Sequence, residues 1–117
     1  MDSILKIVKK QVQGKVPVTV LHLRGWLDAQ SEGQLLAAAQ EAHDDGARHL
    51  LLNLEEVDTL TSAGMRAMQK AYMLFSKGGM KLCSAPPQVY HVLGITGFLQ
   101  TIPNYETQQA AVDSFEG

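Results

Sequence analysis

Two hydroxyl side chains, Thr61 and Ser62, stand where an apolar run hands over to an amphipathic one, in Asn53-Leu-Glu-Glu-Val-Asp-Thr-Leu-Thr61-Ser62-Ala-Gly64-Met65. A hydroxyl in such a place can cap a helix, attack as a nucleophile or accept a phosphoryl group. Capping asks least of the sequence, because Ser and Thr accept a bond from a backbone N–H that the first helical turn leaves unpaired. Taken by itself, Ser62 therefore reads as a cap. Nucleophilic attack asks for a base beside the hydroxyl. Nothing in the sequence brings a histidine next to Ser62, and the Gly-x-Ser-x-Gly turn of the α/β hydrolases is absent, so the chain is read as a non-enzyme.

The remaining chemistry-bearing residues give no second site. His22, His43, His49 and His91 fall on different elements without the paired spacing of a metal site, and no metal is expected. His22 and His49 read as strand residues that pack or hydrogen-bond. Both Gly-rich phosphate motifs are missing, so no nucleotide cofactor is expected of the chain itself. The single cysteine, Cys83, lies in a probable strand and reads as a small buried hydrophobe. The chain carries 10 basic and 12 acidic residues, a net charge of -2, and no basic cluster beyond Lys9-Lys10. That balance offers no footprint for direct nucleic-acid or anionic-membrane binding. No apolar run is long enough to span a bilayer, and the first residues lack a secretory layout, so a cytoplasmic location is expected.

The elements that must position Thr61 and Ser62 follow from periodicity. At 117 residues the chain suits a single domain, 1-117. Residues 4-12 and 16-24 are β-branched runs around Gln13-Gly14-Lys15, a hairpin, with Pro17 tolerated at the start of the second strand. A loop through Trp26, Leu27 and Asp28 leads to a helix whose Ser31-x-x-Gln34 has the pattern of a capping box. Its apolar stripe is Leu35, Leu36, Ala39 and Ala42. The run 48-54 predicts a strand buried on both faces. A helix over 62-77 carries Met65, Met68, Tyr72 and Phe75 at steps of three or four, with Lys77 suited to its negative end. The methionines, Met73 among them, read as core. A strand follows at 80-84, then a helix from Pro86-Pro87 to about Leu93, broken by Gly94-Ile-Thr-Gly97. Leu99–Ile102 supplies a short edge strand. A last helix over 106-116 turns Ala110, Ala111 and Phe115 inward. The alternation predicts an α/β fold, a mixed and mostly parallel sheet of about five strands with about four helices. Strands two and three, joined by a helical crossover, run parallel, so the Trp26-Asp28 loop and the Thr61-Ser62 helix start emerge at one edge. Trp26 is either a partner anchor or half-buried against the sheet. Asp28 is either a cap or a recognition residue.

Four segments, in order, resemble the STAS domains, and specifically the bacterial anti-sigma factor antagonists. They are Leu23-Arg-Gly25-Trp-Leu27-Asp28, Leu51-Leu-Asn-Leu-Glu-Glu-Val57, Leu60-Thr-Ser62-Ala-Gly64-Met65 and Val92-Leu-Gly-Ile-Thr-Gly97-Phe98. The resemblance implies a STAS fold and a protein that captures an anti-sigma factor of the serine-kinase type, which would carry the ATP, and so regulates sigma-dependent transcription. It implies phosphorylation at Ser62 as the off-switch, with a serine phosphatase as a further partner and Thr61 as the alternative acceptor. The partner-binding surface it implies comprises Trp26, Asp28, Asp58, Thr61, Ser62, Gly64, Met65, Arg66 and Gln69. The chain departs from the signature twice: the family's acid before the acceptor serine is Thr61 here, and its second serine is Ala63. That triplet also suits a non-phosphorylated STAS scaffold or a transport-accessory subunit acting by protein binding.

Overall fold

The β-branched runs on either side of Gly14 fold back on one another as expected. In the computed structural model, which describes residues 5–75 and 78–117, they are β1 (Lys6–Gln13) and β2 (Pro17–Leu27), paired antiparallel. Pro17 sits at the end of the ladder opposite Gln13, where a missing N–H costs least. The chain continues through α1 (Glu32–Asp44), β3 (Leu50–Leu60), α2 (Ser62–Leu74), β4 (Met80–Cys83) and α3 (Pro87–Ile95). A 3₁₀ turn (Phe98–Gln100), β5 (Asn104–Tyr105) and α4 (Gln108–Ser114) complete it. The sheet order is β1-β2-β3-β4-β5, parallel from β2 onward, which is the predicted α/β topology.

Both faces of the sheet are covered near β3's start, which explains its unbroken apolar run. Leu50, Leu52 and Leu54 pack with Leu21 and Leu23 beneath α1 and α2, while Leu51 faces Val18, Val20, Cys83 and the α4 side chains Ala111, Val112 and Phe115. Each fully buried leucine contributes about 2 kcal/mol by removal from water. Cys83 is core, and burial pushes its thiol up to about 11. α4 covers its face only as far as Asn53, whose side-chain amide donates to Gln108 at 2.9 Å. Beyond that point the face is open: His22 Nε2 meets Glu56 Oε1 at 2.8 Å, with Trp26 43% exposed alongside.

The open face accounts for the chief difference from the sequence reading. β2 runs on to Leu27 and β3 to Leu60, six residues past the expected end of β3, with register shifts between His22 and Arg24 and between Gly25 and Trp26. Along Glu55–Leu60 only Val57 and Leu60 are buried, so a half-exposed strand had the polarity of a loop. α2's buried face is Ala63, Gly64, Ala67 and Ala71, small residues that let the helix lie close to the sheet, together with the larger Met68. Met65 and Tyr72 are only partly buried, and Met73, expected in the core, is 81% exposed. α2 ends at Leu74 with Phe75 extended; the expected end over Ser76 and Lys77 lies outside the described residues, as does the expected strand start at Ile4.

Four further expectations are corrected. The capping box at Ser31 does not form, because the Ser31 hydroxyl turns back to donate to Trp26 O at 2.9 Å and accept from Asp28 N–H at 3.0 Å, and Gln34 instead donates to Leu5 O. The glycines do not break α3 at residue 94: it continues to Ile95, and Gly97 alone takes the left-handed conformation, φ 76°. The last strand lies after Pro103, not at Leu99–Ile102. Pro103 has no N–H to give β4 but its carbonyl accepts from Leu82 at 2.9 Å, so pairing begins there and residues 98–100 coil tightly instead. In α4 the inward residues are Ala111 and Val112, with Phe115 just after, while Ala110 is exposed.

His49, just before β3, stacks at 5.3 Å on Phe115 and leaves Nδ1 buried without a hydrogen-bond partner. Burial, with Arg48 and then Lys81 nearby, holds its imidazole below the ordinary value of 6.5. A depressed histidine opposes protonation in the folded state, so the unfolded chain binds more protons below that value and stability falls as pH drops through it. Urea unfolding between about pH 7.5 and 5 is expected to show this slope, shallower in His49→Gln. An equal slope in both proteins would remove His49 as its source.

Candidate functional site

Parallel pairing of Leu27 with Leu60 brings the two loops to one edge of the sheet, as the crossover requires. The junction is tied by Thr61. Its N–H donates to Leu27 O at 3.0 Å, and its hydroxyl donates to the same carbonyl at 3.3 Å while accepting from Gly64 N–H at 3.3 Å. Thr61 is thus the N-cap of α2, with extended dihedrals (φ -106°, ψ 173°), and its hydroxyl is fully engaged. Ser62 is not the cap. It is the first residue of the helix, exposed, and its side chain makes no hydrogen bond among the described residues.

Gly64 lies buried beneath this junction. A Cβ there would stand 2.7 Å from the Leu27 carbonyl carbon and overlap its oxygen, so only glycine lets the helix start this close to the end of β2. The facing loop is equally fixed: Asp28 Oδ1 accepts from Gln30 N–H at 3.1 Å and Ser31 N–H at 3.2 Å, and Ser31 is 3% exposed. Asp28 therefore caps the turn that enters α1. Trp26 pairs with Thr59 across the strands and presents an exposed ring, and Asp58 is exposed on β3.

On the other side of Ser62 a groove of about 290 Å³ runs between α2 and the α3–3₁₀ turn. Ser62, Met65, Arg66 and Gln69 form one wall, and Thr96, Phe98 and Thr101 the other. Thr96 Oγ1 lies 3.5 Å from Met65 Sδ. Sequence reasoning named the first wall and omitted the second, although Gly94-Ile-Thr-Gly97-Phe98 carried a signal in its glycine spacing. Arg66 is the one ion among the groove's lining residues, and among the described residues it has no carboxylate within ion-pair distance. Lys70, one turn on, is committed to Glu32 at 2.7 Å and holds that carboxyl below its usual range, with a smaller contribution from Arg66. Among the described residues no cluster of His, Cys, Asp and Glu is arranged to hold a metal ion.

The edge thus presents a capped helix start with one hydroxyl unbonded among the described residues, an exposed tryptophan and a groove. Residues 8–111 match the STAS domain profile, and the chain belongs to the STAS-domain family. It is 28% identical over 118 residues to a protein of Bordetella bronchiseptica named as a candidate anti-sigma factor antagonist, BtrV, covering 96% of each chain. It is 26% identical over 102 residues to the anti-sigma F factor antagonist of Paenibacillus polymyxa, covering 85% of this chain and 87% of that one. Among solved structures, an anti-sigma factor antagonist from Mycobacterium paratuberculosis superposes with a TM-score of 0.82 at 23% identity, over 93% of this chain and 92% of that one. The unphosphorylated form of the antagonist SpoIIAA gives 0.73 at 21% identity over 92% and 94%. The phosphorylated form of SpoIIAA from Bacillus gives 0.66 at 21% over 92% and 97%. At these structural identities the likeness is one of fold.

Proposed function

We propose that this chain is an anti-sigma factor antagonist: a binding protein, not an enzyme, that captures an anti-sigma factor of the serine-kinase type and is released when that kinase phosphorylates Ser62. The observation that carries the reading is the division of labour at the helix start. Thr61 does the capping, so the Ser62 hydroxyl is left exposed and unbonded at the positive end of α2. In the transfer, Ser62 Oγ bonds to the γ-phosphorus of the kinase's ATP, the bond to ADP breaks, and the hydroxyl proton passes to a base of the kinase. Sigma-dependent transcription in the cytoplasm would be the outcome controlled, and a serine phosphatase would reset the switch. No described helix is long and apolar enough to cross a membrane.

Within that reading Trp26, Asp58, Ser62, Met65, Arg66 and Gln69 supply the docking surface, while Asp28, Thr61 and Gly64 hold its shape. A phosphoryl group adds about -1.5 to -2 charge, which the α2 terminus tolerates but a desolvated interface beside Asp28 and Asp58 does not. The test is gel filtration of the chain with the kinase-type anti-sigma factor of its own organism, then addition of ATP. A complex that dissociates as a phosphoryl adduct appears in the intact mass is expected. The neutral Thr61 and Ala63 flanking Ser62 favour a second reading, a scaffold or transport-accessory subunit that is never modified. No adduct, and recovery of scaffold or transporter subunits from the native cell, would establish that one instead.

A further inference from the structure

We propose that Arg66 is the internal ligand of the phosphoryl group on Ser62, so that modification withdraws the groove's one cation from the docking surface as well as adding negative charge. This rests on the phosphorylation of Ser62 argued above. Residues 62 and 66 are four apart on α2, which places their Cβ atoms about 6 Å from each other on one face of the helix. Both line the same groove wall. Side chains on a helix lean toward its N-terminus, so the Arg66 side chain has the length and direction to reach a group on Ser62.

The surroundings leave Arg66 available for this and leave little else to compete. Glu32 feels its charge weakly, and the Glu32 Oε2 is already held by Lys70 at 2.7 Å. Lys70 is a further turn from Ser62 and is engaged in that pair. No other lysine, arginine or histidine lines the groove. The first turn adds donors of its own: Thr61 occupies the N–H groups of Gly64 and Met65, and no backbone carbonyl among the described residues takes those of Ser62 and Ala63. A phosphoryl group on Ser62 Oγ therefore meets two open backbone donors and a guanidinium fork, the arrangement that binds its dianion best.

Two consequences follow. In the unmodified chain the Arg66 guanidinium is open to an acidic side chain of the partner. In the phosphorylated chain it is neutralised from within, so partner contacts to Arg66 and the phosphoryl group are mutually exclusive.

The experiment installs phosphoserine at position 62 during synthesis by codon reassignment, in the wild-type background and in Arg66→Ala, and follows the phosphate by phosphorus NMR as pH is varied at low salt. A neighbouring cation favours the dianion and so lowers its second ionisation. The wild-type phosphate is expected to titrate about half a pH unit below that of the variant, roughly a threefold change in proton affinity, and the two are expected to coincide in urea. Identical titrations in the folded proteins would overturn the proposal, as would a difference that survives in urea. Because no kinase is involved, failure here is separate from failure of the kinase to modify Ser62.

Discussion

Gly64→Ala is expected to lower the unfolding free energy by about 3 kcal/mol and the Tm by roughly 10 °C. Helix propensity alone predicts the opposite sign, since alanine is favoured over glycine by up to about 1 kcal/mol inside a helix. Steric overlap decides the outcome. The new Cβ would overlap the Leu27 carbonyl oxygen and approach the carbonyl carbon and Cβ to 2.7 and 2.9 Å, and backbone cannot swing aside as a flexible side chain can. Nor can α2 withdraw freely, because both the N–H and the hydroxyl of Thr61 bond to that carbonyl. A retreat large enough to admit the methyl stretches two hydrogen bonds, each worth about 1 kcal/mol, on top of the roughly 1–3 kcal/mol of overpacking. Urea and thermal unfolding of the variant measure this directly. A variant as stable as wild type would show that the junction is looser than these contacts imply. The same displacement would carry Ser62 away from the Trp26 loop, so partner capture is expected to weaken even in the fraction that folds.

The handover from strand to helix was legible in the sequence because each of its causes is local. A continuous Leu50-Leu51-Leu52 run, hydroxyls at 61 and 62, and a helical crossover between two strands together place the helix start beside the β2 loop. The length of the strands was not legible. Glu55, Glu56 and Asp58 look like loop residues unless it is known that α4 stops short and leaves that face of the sheet to water. The same tertiary fact governs Trp26, which is exposed at 43% because none of the described residues covers its face. Ser31 misled for a different reason. Its spacing to Gln34 fits a capping box, but the hydroxyl has a nearer use in closing the turn with Asp28, and local side-chain to backbone bonds compete with caps for the same residues. Which of Thr61 and Ser62 is the cap is settled by the dihedrals and distances of the folded chain, because the sequence suits either.

That assignment gives the two adjacent hydroxyls different roles under the proposed function, and Ser62→Ala and Thr61→Ala are expected to show opposite defects. Among the described residues Ser62 makes no side-chain hydrogen bond, and alanine is well suited to a first helical turn, so Ser62→Ala is expected to unfold within about 0.5 kcal/mol of wild type. Its acceptance of a phosphoryl group from the anti-sigma kinase is expected to be abolished. Thr61→Ala removes the cap to Gly64 and one of two bonds to Leu27, a loss of about 1–2 kcal/mol, or roughly 5 °C in Tm. It keeps the acceptor, so intact mass should still show the adduct. Thr61→Ser, which preserves the capping oxygen, is expected to recover most of the stability. An adduct that persists in Ser62→Ala and vanishes in Thr61→Ala would move the acceptor to Thr61 and require that its hydroxyl leave both of its partners before the kinase can use it. The cost of breaking those bonds is the reason to propose Ser62 as the acceptor: a phosphoryl group on its oxygen would take nothing from the cap of the helix it begins.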